Sequence, residues 1–325
     1  MLISTRTVRT FLVIALSFLL LHGAQAAYPD KPIKVIIGFP AGGSLDAHFR
    51  PLVDRLQNAL GQPVIVDFKS GAGGAVGAQF VAQSPADGYT LLLANTGTMV
   101  INPAVYTKSP YDTLKDFQPI ARTAQQPLAL LVNNDVPAQT LKEFIAYTKE
   151  RPGKLNFASS GNGGISHLVP EMLKTETGIF MAHIPFKGSA PAFNDLIAGH
   201  VQFMAGSVPE AANYAKQGRV RALAVTSAKR NPALPNTPTV LETGVANLEV
   251  VGFYGILAPK GTPPEVVSKL NQAFKETLDS PEIQKKMIDQ GADPAYLNAE
   301  QFTKFLSAEM PRWANAVKQA GAKLD

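Results

Sequence analysis

The sequence has 325 residues, 46% of them hydrophobic, with 30 Lys and Arg against 25 Asp and Glu and no cysteine. Without cysteine there is no disulfide, thiolate metal site or cysteine nucleophile, so a packed core must hold the fold. The net charge of +5 comes without any basic run interleaved with aromatics, which argues against nucleic acid as a partner.

The first 26 residues have the pattern of a cleavable signal peptide. Arg6 and Arg9 precede the apolar run 11–21, and Ala24 and Ala26 put small residues at −3 and −1 of a cut after Ala26. The run is shorter than the ~20 residues that span a bilayer. No cysteine follows the cut, so the expected product is an untethered protein with a charge near +3 once Arg6 and Arg9 are lost. Beyond it, 33–38 (IKVIIG) predicts a strand, 46–60 an amphipathic helix, 64–68 a strand, 75–83 a helix and 89–94 (YTLLLA) a strand. The alternation then returns. An apolar run at 128–132 leads to a helix over 141–149, a strand at 155–158, a helix over 167–175, a short extended piece at 184–186 and a helix over 190–198. Strands at 202–204 and 220–225 complete a second sheet. Past Pro232, Pro235 and Pro238, another apolar run at 250–257 precedes helices over 264–278 and 299–320.

Such alternation predicts an α/β fold with parallel strands and crossover helices. Two units with a C-terminal return predict two lobes: lobe 1 from 27–126 and 254–325, lobe 2 from 127–253 inserted into it. The runs at 128–132 and 250–257 are then the hinge strands. Open α/β sheets bind ligands beyond the carboxyl ends of their strands, here between the lobes.

Two loops fit that place. Phe39-Pro40-Ala41-Gly42-Gly43-Ser44-Leu45-Asp46 follows the first strand, and Ser159-Ser160-Gly161-Asn162-Gly163-Gly164-Ile165-Ser166-His167 follows the strand at 155–158. Glycine permits close backbone approach, and free N–H groups at a helix start hold an anion. Ser44 or Asp46 is positioned to cap the first helix, and the same loop is also compatible with a plain strand-to-helix turn. The third glycine run, 71–77, puts Val76 where a dinucleotide loop needs its last glycine, and is expected to be a tight turn supporting the cleft. Lys187, before the helix at 190–198, is either a cation facing the cleft or a solvated side chain. His48, His167, His183 and His200 show no metal-binding spacing, and no G-x-S-x-G elbow occurs. No metal or cofactor is expected, and the one hydrolase reading left open is a triad of Ser160, His167 and Asp195. His48 is expected to be an ordinary helix residue.

Seven stretches in order carry a resemblance: Tyr28-Pro29, FPAGGSLD at 39–46, GAGG at 71–74, DGYTLL at 87–92, NFASSG at 156–161, PFKGSAP at 185–191 and RALAVT at 221–226. Over essentially the whole exported chain, they resemble the Bug family, the extracytoplasmic solute receptors of tripartite tricarboxylate transporters. The resemblance implies a two-lobed periplasmic-binding-protein (Venus flytrap) fold with a hinge of crossing strands. It implies a di-, tri- or aromatic carboxylate held by backbone amides, hydroxyls and ordered waters, and inner-membrane transporter subunits as partners of a monomeric receptor. Carried over by position, the contacts are Phe39, Ala41, Gly42, Gly43, Ser44 and Asp46 in lobe 1, then Ser159, Ser160, Gly161 and Ser166 in lobe 2, with Thr96 and Gly97 on a neighbouring loop. Lys187, Gly206 and Ser207 complete the candidate site, and Phe39, Phe186 and Phe253 are candidates for apolar contact. Many relatives have Met-Phe-Asp-Asn or Met-Phe-Asp-Ser where this chain has Met204-Ala205-Gly206-Ser207. On that comparison an acid facing the cleft is missing and an aromatic is reduced to alanine, which would leave room for a larger ligand. Phe186 stands for the usual tyrosine and Ser70 for a proline. The expected role is a periplasmic receptor, with a sensory co-receptor for a membrane kinase as the alternative and a hydrolase as the third reading.

Overall fold

In a computed structural model, residues 28–290 and 292–322 are described. The expected signal peptide, 1–26, lies outside them. Among the described residues no helix is long and apolar enough to cross a membrane.

Strand β1 (Ile33–Ile37) pairs in parallel with β2 (Val64–Phe68) and β3 (Thr90–Asn95), joined by α1 (Ser44–Leu60) and α2 (Ala75–Ala82). A π-helical turn (Gly97–Ile101) and α3 (Asn102–Val105) lead into β4 (Phe117–Val132). The next unit places β5 (Asn156–Ser159) parallel to β6 (Ala182–Pro185) and β7 (Phe203–Ser207). Its helices are α4 (Leu141–Lys149), α5 (Ile165–Thr177), α6 (Ser189–Ala198) and α7 (Val208–Lys216). After β8 (Arg221–Val225) and α8 (Val240–Thr243), β9 (Val251–Pro259) returns to the first unit. Helices α9 (Pro264–Leu278) and α10 (Pro281–Asp289), strand β10 (Asp293–Leu297) and α11 (Ala299–Ala320) close the chain.

The sheet is mixed: the parallel strands expected within each unit are joined by antiparallel ones. β9 runs antiparallel between β3 and β4, and β10 and β8 also pair antiparallel to β4. The centre is β4. Its first part, from Phe117 to Pro127, pairs with β9, and its last, from Leu128 to Val132, with β7 and β8. One strand therefore belongs to both halves, and the chain crosses between them at Pro127 and again at Val250–Val251. Thr226 pins this junction. Its buried hydroxyl donates to Val250 O at 2.5 Å and accepts from Leu128 N–H at 3.0 Å. Its backbone N–H donates to Leu128 O, and Val250 N–H donates to Thr226 O, both at 2.9 Å.

The apolar alternation of the strands produces three cores. One lies between the first sheet and α1, α9 and α10, built on Phe49, Leu270 and Phe274. Another lies under α6 and α7, around Phe193 and Val208. The largest runs from α2 and the π turn, beneath α11, into α4 and α5, so apolar packing is continuous between the halves. Phe253 sits in it, edge-on to Phe302 and Phe305 of α11, at 1% exposure. That removes Phe253 from the candidates for ligand contact.

Candidate ligand-binding cleft

The first loop is shaped from below. Gly42 adopts φ +78°, open only to glycine at low cost, and Gly43 begins α1 with no side chain capping it. Ala47 N–H bonds back to Gly43 O, leaving the N–H groups of Ser44 and Leu45 without intrahelical acceptors. Asp46 is 1% exposed, and its Oδ2 accepts from Gly42 N–H at 2.7 Å and from Arg50 Nη2 at 2.9 Å. Asp46 therefore lies under the loop and fixes its curl, while Ala41, Gly42 and Ser44 are exposed above it. The glycine run 71–77 acts as the sequence suggested, as a support. A Cβ on Gly38 would stand 2.7 Å from Gly74 backbone, and one on Gly77 would stand 2.8 Å from Gly38 Cα. Phe39 packs over Gly74.

The second loop repeats the construction. Gly164 begins α5 without a side-chain cap, and both His167 and Leu168 bond to its carbonyl, leaving Ile165 and Ser166 N–H free of intrahelical partners. Ser166 Oγ accepts from Ser160 N–H at 3.0 Å and lies 2.8 Å from Ser160 Oγ. Ser159 is fully buried, donating to Gly161 O at 3.0 Å and accepting from His183 Nε2 at 2.6 Å. His183 stacks on His167 at 3.7 Å, and His167 Nδ1 accepts from Gly163 N–H at 3.1 Å. Burial, then the nearby Lys174, lowers His167 to about 4; burial, His167 and Lys174 lower His183 to about 3. Both rings are neutral near pH 7, as the accepting Nδ1 of His167 requires. Of this loop, Ser160 and Gly161 reach the surface while Ser159 and Ser166 brace it. The loop also seats on the other half, since a Cβ on Gly163 would meet Val105 at 2.9 Å.

Further polar groups accompany the loops. The Tyr254 hydroxyl is within reach of Ser44 and Gln126; burial, with the negative charge of Glu210, pushes the phenol well above its ordinary value. Behind it, His48 lies 4.6 Å from the Tyr254 ring and its Nε2 is 2.9 Å from Thr123 Oγ1; burial lowers His48 to about 3. Ser207 Oγ donates to Glu210 Oε2 at 2.5 Å, and Ser189 Oγ donates to Glu210 Oε1 at 2.6 Å. Thr96 is buried and accepts from Phe253 N–H at 2.8 Å, so its hydroxyl serves the hinge; Gly97 beside it is partly exposed. Lys187 is exposed and makes no ion pair among the described residues.

A family model described as "Tripartite tricarboxylate transporter family receptor" matches residues 48–322. The chain belongs to this receptor family. Protein BugT of Bordetella pertussis is 37% identical to it over 298 residues, 91% of each chain. An R. palustris protein solved with adipate is 34% identical, with a TM-score of 0.84 over 90% of this chain and 98% of that one. MatC of Rhodopseudomonas palustris, solved with bound malate, is 30% identical, with a TM-score of 0.79 over 89% and 100%. The family is one of periplasmic solute-binding receptors, and the two α/β lobes with a curled mixed sheet are its fold.

The structure of this receptor corrects the expectation attached to residues 204–207. A Cβ on Gly206 would stand 2.6 Å from Phe193 and 3.2 Å from Leu131, inside the second lobe's core, and Ala205 is fully buried. Neither position opens the cleft, because α6 lays Phe193 across β7. Nor do Ser160, His167 and Asp195 form a relay: Ser160 pairs with Ser166, His167 with Gly163, and Asp195 lies 3.4 Å from His200. Tyr254, Gln126 and Glu210 were missed in the sequence. Glu210 had a signal, since Ser207 followed three residues later by an acid is a helix-start spacing. Tyr254 had none, being one aromatic of an apolar strand whose neighbour, Phe253, faces the core.

Proposed function

We propose that this receptor works in the periplasm, after export and cleavage near Ala26, capturing a small organic carboxylate and delivering it to inner-membrane transporter subunits without altering it. The observation carrying the proposal is the pair of glycine-rich loops, each opening an uncapped helix, α1 in one half and α5 in the other. Relatives solved with adipate and malate support the carboxylate class. In this reading lobe 1 is 27–126 with 254–325 and lobe 2 is 127–253. The ligand touches Phe39, Ala41, Gly42, Gly43, Ser44, Ser160 and Gly161, with Gly97, Lys187 and backbone at Gly206 and Ser207 at the periphery. Asp46, Thr96, Ser159 and Ser166 hold the loops in shape.

A carboxylate gains its full set of donors only when both loops face it, so binding favours the closed form. Each helix start contributes ~0.3–1 kcal/mol to an anion, whereas micromolar affinity needs about −8 kcal/mol. Direct hydrogen bonds, bridging water and contact with Phe39 and Phe186 supply the remainder. The receptor acts as a monomer, without metal or cofactor. Native mass spectrometry of freshly purified protein should reveal a carried carboxylate, whose affinity calorimetry then measures. Gly43→Leu should weaken that affinity about tenfold or more while leaving the circular dichroism spectrum unchanged. Unaltered affinity would remove the first loop from the site.

A further inference from the structure

We propose that Glu210 sets specificity, giving this receptor a preference for a monocarboxylate whose far end is uncharged or cationic over a dicarboxylate. The inference rests on the carboxylate-receptor reading above and narrows it.

Glu210 occupies the third position of α7, and each carboxylate oxygen is held by one serine hydroxyl. Ser189, the first residue of α6, binds Oε1 at 2.6 Å, and Ser207, which precedes α7, binds Oε2 at 2.5 Å. One internal anion thus lies between the starts of two helices, where hydroxyl and backbone donors would otherwise meet a ligand's second carboxylate. Neither serine is left to donate. The place lies near the first loop: Ser207 pairs with Leu128 of β4, two residues from Gln126, and Gln126 and Ser44 both lie near the Tyr254 hydroxyl. The charge of Glu210 is felt at that hydroxyl.

No lysine or arginine is ion-paired with Glu210 among the described residues. Asp46 is buried against Arg50 and Gly42 N–H, and Lys187 is exposed without an ion pair among the described residues. Gly206 admits no side chain, so Glu210 is the acid that β7 and α7 present here. A second ligand carboxylate within roughly 5 Å of it meets like charge with little water between. A ligand hydroxyl, amide N–H or ammonium instead meets an ordered acceptor. The ligand's single carboxylate is left to the loops opening α1 and α5.

Length-matched probes test this by calorimetry: hexanoate, 6-aminohexanoate and adipate, and, for an aromatic ligand, benzoate and terephthalate. The wild type should bind the better singly carboxylated member of a set at least about tenfold more tightly than its dicarboxylate. Glu210→Gln should reduce that ratio about tenfold, chiefly by improving the dicarboxylate. A wild-type protein that binds adipate or terephthalate as tightly as the partner probe overturns the proposal without needing any variant. So does an unchanged ratio in Glu210→Gln. Tight binding of the dicarboxylates would leave the carboxylate-receptor reading standing, whereas failure of every probe, with no carboxylate co-purifying, would overturn both.

Discussion

Thr226 holds three chain segments together with one hydroxyl, and Val has the same shape without it. Thr226→Val leaves Leu128 N–H and Val250 O buried without their partner, which should cost about 1–3 kcal/mol. The urea midpoint should fall with an unchanged slope, and a fixed midpoint would show that the junction is held elsewhere. The histidines make a second prediction. His48, His167 and His183 titrate near 3 to 4 in the folded protein and near 6.5 when unfolded. Between those values the unfolded chain binds more protons, so stability falls as pH drops from about 6.5 towards 4 and changes little with these groups above 7. Urea midpoints at pH 7.5, 6.5 and 5 should show it, and His183→Gln should flatten the slope. At this scale the sequence was only partly legible. The loops at 39–46 and 159–167 stood out because the same glycine- and serine-rich construction follows a strand in each unit. Which serines face the cleft did not, because Ser159 and Ser160 are adjacent and chemically alike, and only strand direction buries one.

Among elements, the close seating of β1 on α2 depends on glycines facing one another. Gly77→Ala would bring a methyl to within 2.8 Å of Gly38 Cα, backbone that cannot rotate away. The overpacking should cost about 1–3 kcal/mol and weaken ligand binding, because the first loop springs from Gly38. Thermal unfolding and calorimetry would read both, and a variant as stable and as tight-binding as wild type would refute the packing argument. Strands β1, β2, β3 and β5 were readable from short β-branched or apolar runs bounded by turns. The first part of β4 was not: its Arg122, Thr123, Gln125 and Gln126 break the apolar pattern, and Pro119 falls at a shift of register against β9. Polar residues persist there because β10 and α11 give Arg122 a carbonyl and an aromatic face, Ala295 O at 2.9 Å and Phe305 at 5.0 Å. Such partners lie far along the chain, beyond any local window. Helix α10 and strand β10 were missed for the same reason, each half-polar and supported from elsewhere.

For the whole molecule, the α/β class was readable from the order of alternations, while the mixed sheet depended on which strands meet. The way they meet has a consequence for how the protein comes apart. The sixteen residues of β4 carry pairing partners for both units. Melting either unit strips hydrogen bonds from a strand that the other still needs, and the apolar core beneath α11 is shared as well. Scanning calorimetry should therefore record one endotherm with equal calorimetric and van't Hoff enthalpies, and two resolved transitions would contradict the coupling. A fragment ending before β4 would lack β9 as well and leave one flank of β3 with unpaired N–H and C=O groups, an open invitation to self-association. Neither half could be excised as a free-standing module, and a proteolytic nick inside β4 would be felt on both sides at once.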